Sequence, residues 1–146
     1  MNATTDTPPW IRTILNWPWL WPISRIALVS AFLIGGVQKL IDFPGAVAEQ
    51  AHFGLQPAWL WAAAAIVVEL GGSALVIVGR WVWLGAGSLG VLTAVAMLVA
   101  NDFWAKTGHD RFLATNAFFE HLGLIAGFVL VALVSADHKR EVGTRA

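Results

Sequence analysis

The sequence predicts an all-α membrane protein, a four-transmembrane-helix bundle preceded by a short interfacial N-terminal helix. Three observations point to it. Hydrophobic residues make up 58% of the chain and charged residues 12%, against roughly 25% charged in an ordinary soluble domain. Mean hydropathy is +0.68. Four stretches also have enough residues, at about 1.5 Å each, to approach the roughly 30 Å of a bilayer's hydrocarbon core. One such bundle uses most of the 146 residues, so a single membrane domain is expected over 23–134.

Residues 1–7 are polar and read as an unstructured start. From Pro8 to Pro22, Trp10, Ile11, Ile14 and Leu15 share one side of a helix, with Arg12, Thr13 and Asn16 elsewhere. This is either a short helix lying in the interface followed by a Trp-Pro anchor, or an irregular tail with scattered aromatics. No positive run precedes a short apolar core and no small-residue cleavage site follows, so the first membrane helix is expected to stay uncleaved.

The expected spans are 23–41, 57–78, 81–100 and 115–134. In the first, only Ile26 to Val37 is free of both charge and Gln, and Arg25 and Lys39 must reach toward the surfaces from its ends. In the second, Glu69 is the one charge. Gly79-Arg80 is too short for anything but a tight hairpin, and the third span carries no charge at all. Residues 42–56 and 101–114 read as loops, and 135–146 as a charged cytoplasmic tail. Nine tryptophans and no tyrosine suit a small protein with many interfacial ends; Trp59, Trp61, Trp81 and Trp83 are expected in the aromatic belts. Arg12, Arg80, Lys139, Arg140 and Arg145 fall on one side and Lys39, Lys106 and Arg111 on the other, which predicts N-in and C-in termini in a bacterial inner membrane.

Each helix also puts its polar residues on the face that carries its small ones. Glu69 shares a face with Ala62, Ala65, Gly72 and Ser73, and Gly71 lies beside Gly72. Lys39 lies with Phe32, Gly35 and Gly36, and Thr93 with Ala86, Gly90 and Asn101. Glu120 lies with Asn116 and with Gly123 and Gly127, a GxxxG spacing suited to close helix contact. Small residues mark helix contacts, so Lys39, Glu69, Thr93, Asn116, Glu120 and His121 are expected to form a polar cluster inside the bundle, open toward the outer face. An ionisable group at mid-membrane costs about 2.5–3.5 kcal/mol on insertion scales unless it is paired or hydrated. Counted along the helices, Lys39 lies about 3 Å, Glu120 about 8 Å and Glu69 about 16 Å from the outer end. Direct pairing of Lys39 with Glu69 therefore needs tilt, reach or a bridging water.

Several chemistries drop out. There is no cysteine, hence no thiol relay, disulfide or thiolate metal site. Haem held by two histidines is not expected, because only His121 lies within a span while His52, His109 and His138 do not. No metal is expected either: the one helical pair at ligand spacing is Asn116 with Glu120. Zero net charge argues against a nucleic-acid partner.

Four stretches carry a resemblance to the DoxX family. They are Gly35-Gly-Val-Gln-Lys-Leu-Ile-Asp-Phe-Pro-Gly45, Glu69-Leu-Gly-Gly-Ser-Ala-Leu-Val-Ile-Val-Gly79, Asn101-Asp-Phe-Trp104 and Asn116-Ala-Phe-Phe-Glu-His-Leu-Gly-Leu-Ile-Ala-Gly127, and they cover roughly Arg25 to Val134 in the family's order and spacing. The chain departs from the pattern at Glu120-His121, where many members carry Lys-Asn. The resemblance implies a four-helix bacterial inner-membrane protein whose relatives include membrane subunits of a thiosulfate:quinone oxidoreductase and of oxidative-stress complexes. Three functions are in view. One is an accessory subunit of a redox or quinone-linked complex, with a partner subunit supplying electrons and Lys39, Glu120 and His121 able to hydrogen-bond a quinone. The others are a packing scaffold of the bilayer, and an oligomeric transporter or channel component with Glu69 as its proton or cation site.

Overall fold

The computed structural model describes residues 7–144, with side chains as far as Asp137. The polar start over residues 1–6, Arg145 and the side chains of Lys139 and Arg140 lie outside the described residues. Helix α1 spans Pro9–Leu15. It is followed by α2 (Leu20–Ile41) and α3 (Phe43–His52). Next come α4 (Ala58–Val78), α5 (Val82–Ala100) and α6 (Gly108–Thr144). Four of these, α2, α4, α5 and α6, are long and apolar enough to cross a membrane.

The N-terminal segment resolves in favour of the helix. Pro9 occupies the first turn of α1, where a missing N–H costs nothing. Trp10, Ile14 and Leu15 are all exposed, as an interfacial helix requires. Helix α2 begins three residues ahead of the expected start. Pro22 sits inside its first turn, where backbone N–H groups lack intrahelical partners, so the proline does not have to end anything.

The stretch 42–56, expected as a loop, contains α3. The signal was local: Asp42 ends α2 and also caps α3, its carboxylate accepting from the Gly45 N–H at 3.0 Å, and Pro44 lies in the first turn. The second expected loop is also shorter than 101–114. A single 3-10 turn over Phe103–Ala105 sets the Phe103 ring against that of Phe118 at 5.2 Å, and α6 starts at Gly108. At its other end α6 runs on to Thr144, through the segment read as a tail.

The buried core is narrow. Val29, Val76, Val82, Ala86, Leu89, Phe128 and Val131 form it, with the Phe32 and Phe128 rings edge to face at 5.5 Å. Large apolar side chains such as Ile34, Val67, Val91 and Leu130 point outward instead. Such a surface is the reverse of what water tolerates and is what lipid requires.

The tight turn after α4 uses Gly79 at φ 80° and Trp81 at φ 51°. Arg25 reinforces it from α2: its Nε donates to the Val76 carbonyl, and its guanidinium lies over the Trp21 ring at 5.8 Å. Arg25 therefore caps the carbonyl end of α4, a more specific task than the surface anchoring expected of it. Beyond the turn, α4 and α5 approach to backbone distance. A Cβ added at Gly85 would stand 2.6 Å from the Gly72 carbonyl oxygen, and one at Gly72 only 2.9 Å from Leu89 Cγ.

That approach gives the first prediction. Gly85→Ala forces the two backbones apart and lowers stability by about 1–3 kcal/mol. Gly90→Ala, whose new methyl meets nothing within 4 Å, leaves stability equal or slightly higher. Thermal unfolding of the detergent-purified protein, followed by tryptophan fluorescence, measures the difference.

Candidate functional site

The site is built where α2, α4 and α5 meet. Helix α2 ends, and α4 begins, at the same end of the bundle, joined through α3. In a helix the Cα–Cβ bonds tilt toward the N-terminus. Lys39, near the C-terminal end of α2, therefore leans back along its own helix. Glu69 leans toward the N-terminal end of α4, so the two side chains tilt toward each other. This converging tilt closes the depth gap counted along the sequence. Lys39 Nζ donates to Glu69 Oε1 at 3.0 Å and lies 3.4 Å from Oε2, without an intervening group.

Glycine lets α2 approach the Glu69 turn. A Cβ at Gly36 would stand 2.8 Å from Leu70 Cδ2 and 3.1 Å from Glu69 Cβ, and one at Gly35 would lie in ordinary contact, 3.5 Å, with Lys39 Nζ and Glu69 Oε2. Glu69 is 8% exposed and its partner's side chain 20%, so the pair is largely withdrawn from the surface. Glu69 also lies in a π turn over Val68–Gly72, a wider coil than the surrounding α-helix and one often found at functional sites. Gly71-Gly72 offers little resistance to that wider path.

The pair lies on the wall of a groove-shaped cavity of about 1010 Å³. Along α5 its lining runs from Trp83 to Asn101, about 27 Å of helix at 1.5 Å per residue. Most of that wall is apolar, including Val91, Leu92, Val95 and Val99. Most polar groups gather toward the α3 end: Lys39, Glu49, Gln50, Glu69, Asn101 and His121; Thr93 and Ser88 lie farther along α5. Thr93 is 2% exposed and donates to the Leu89 carbonyl at 2.7 Å, so its hydroxyl proton is already used. His121 Nδ1 lies 2.6 Å from the Ala117 carbonyl. A carbonyl only accepts, so Nδ1 carries the proton, and Nε2 of the neutral ring is left as an acceptor. A second, smaller cavity of about 370 Å³ shares Asn101 and is lined by Lys106, Asp110, Leu113, Ala114 and Ala117.

Of the six residues expected to cluster, the structure brings four to the large cavity: Lys39, Glu69, Thr93 and His121. Asn116 and Glu120 are exposed and line neither cavity. The inward stripe of α6 is Ala114, Ala117, His121, Leu124, Phe128 and Val131, at alternating intervals of three and four. Asn116 and Glu120 lie off it. The GxxxG is used at one end only: a Cβ at Gly127 would stand 3.1 Å from Leu28 Cδ1 of α2, while one at Gly123 would meet nothing within 4 Å. Gly71 is likewise open, since adjacent helical residues point about 100° apart and Gly72 takes the contact. Sequence reasoning missed Glu49, Gln50 and Phe53, because it read α3 as loop, and missed the groove-lining role of Trp61 and Trp83, which it assigned to the belts. Among the described residues no group of three metal-binding side chains comes together.

Four membrane-length helices around a buried Lys–Glu pair define a small multi-pass membrane protein. The chain belongs to the DoxX family, whose model matches residues 20–102. That segment takes in α2 to α5, and with them Lys39, Glu69 and Thr93; His121 and the rest of α6 lie beyond it. The chain is also 28% identical over 116 residues to the inner membrane protein YphA of Escherichia coli (strain K12), covering 80% of this chain and 83% of that protein. No solved structure matches it.

The pair has a measurable signature. Lys39→Met leaves a buried carboxylate alone and destabilises the protein by about 3–5 kcal/mol, whereas Lys39→Met with Glu69→Leu recovers most of the loss. Chemical or thermal unfolding of both variants in the same detergent checks the order.

Proposed function

We propose that the protein is an integral membrane subunit of a redox, quinone-linked complex, and that its groove holds a long-chain quinone. The observation that carries this reading is the groove's division into two parts. The groove is about 27 Å long in all; its apolar length suits an isoprenoid tail, and its polar α3 end suits a head group. At that end Lys39 offers donors to a quinone oxygen, and His121 Nε2 offers an acceptor to a reduced quinol. In this reading a partner subunit supplies the electrons; without cysteine the chain itself offers neither a thiol relay nor a thiolate-held cluster. A charge bias of five basic residues against three supports a reading with both termini in the cytoplasm of a bacterium and the polar end of the groove toward the periplasm.

One observation favours a second reading, a packing scaffold. Lys39 and Glu69 already satisfy each other at 3.0 Å and join α2 to α4 without any ligand. The same closure argues against Glu69 as the cation site of a transporter, because its counter-charge is built in.

The two readings separate on a single preparation. Protein purified in mild detergent from its native membrane, then extracted for lipids, yields quinone in near-stoichiometric amount if the proposal holds. His121→Leu lowers that yield up to about tenfold, the effect of one hydrogen bond worth roughly 1.4 kcal/mol. Gly87 lines the groove and a Cβ there meets nothing within 4 Å, so Gly87→Leu starts its side chain in open space, narrows the trough and displaces the quinone. Protein that emerges without quinone and without a redox partner supports the scaffold instead.

A further inference from the structure

The formal charges on the groove wall are Lys39, Glu49 and Glu69. Lys39 and Glu69 neutralise one another across 3.0 Å. Glu49, on α3, makes no ion pair among the described residues. One negative charge is therefore left over at the α3 end. Two aromatic rings lie on the same wall: Phe53, one turn beyond Glu49, and Trp61, from the first turn of α4. Aromatic faces attract cations, and an unpaired carboxylate on the same groove wall adds to that attraction while repelling anions.

We infer that the groove is a binding site for amphiphilic cations, with the positive group held by Glu49, Phe53 and Trp61 and the apolar body in the trough. This rests on reading the groove as a ligand site, but not on its ligand being a quinone. A neutral quinone head and a lipophilic cation are both compatible with a wall of this charge; an anionic amphiphile is not.

The test compares two ions of nearly equal size and shape and opposite sign, tetraphenylphosphonium and tetraphenylborate. Equilibrium binding of each is measured on the full chain in a nonionic detergent. The phosphonium should bind saturably, and at least about tenfold more tightly than the borate, a gap of roughly 1.4 kcal/mol. Glu49→Gln, a change at an exposed position, should weaken phosphonium binding about three- to tenfold and narrow the gap. Gly87→Leu should abolish saturable binding. Equal binding of both ions, unchanged by Glu49→Gln but lost in Gly87→Leu, overturns the charge preference and leaves the groove as a ligand site. Tighter binding of the borate overturns the inference outright. So does saturable phosphonium binding that survives Gly87→Leu, or no saturable binding of either ion; the quinone content of the native preparation then decides the groove separately.

Discussion

A lysine and a glutamate brought together inside the membrane set the terms for everything around them. A carboxylate alone at the depth of Glu69 is costly, and Lys39 offsets part of that cost with its nitrogen 3.0 Å from the carboxylate oxygen. The pairing fixes how α2 lies against α4. The close approach also depends on Gly36 of α2, where a Cβ would stand 2.8 Å from Leu70 Cδ2 and 3.1 Å from Glu69 Cβ. The antiparallel course of the two helices is a further condition: only then do Lys39 and Glu69 tilt toward each other.

The rest of the bundle divides into close contact on one side and open space on the other. Gly72 and Gly85 let α4 and α5 touch backbone to backbone, and Phe128 of α6 fills the core behind them. Where small residues such as Ala64, Gly87 and Ala96 have no neighbour to receive, they leave a trough along α5. Van der Waals packing is a principal force between helices in lipid, so an unfilled trough of about 1010 Å³ is a standing cost unless something occupies it. The polar groups at one end and the apolar length behind them give that occupant its chemistry.

Much of this could be read in the residues. The four spans, their order and the tight turn at Gly79 follow from hydropathy and from glycine and proline positions. The inward placement of Lys39, Glu69 and Thr93 follows from the small residues on their faces. What failed did so for identifiable reasons. The α3 helix is ten residues long and only modestly apolar, and its start signal, Asp42 with Pro44, was read as loop chemistry. Asn116 and Glu120 share a face with two glycines, which points them inward on the sequence alone, yet α6 packs through the neighbouring stripe from Ala114 to Val131, and a Cβ at Gly123 would meet nothing. The direct ion pair was masked by counting depth along helix axes, which ignores both the tilt of the side chains and the length of lysine. The groove itself has no signature in sequence, since it is defined by what fails to meet.

The arrangement is tested most directly by the separation of the two charges in a lipid bilayer. Solid-state NMR on protein carrying isotope-labelled lysine Nζ and glutamate Cδ reads that separation through their dipolar coupling. The account predicts a strong coupling between Lys39 and Glu69, matching carboxylate oxygens at 3.0 and 3.4 Å from the ammonium and absent from the Lys39→Met protein. A bilayer sample in which the two labels show no coupling would contradict it.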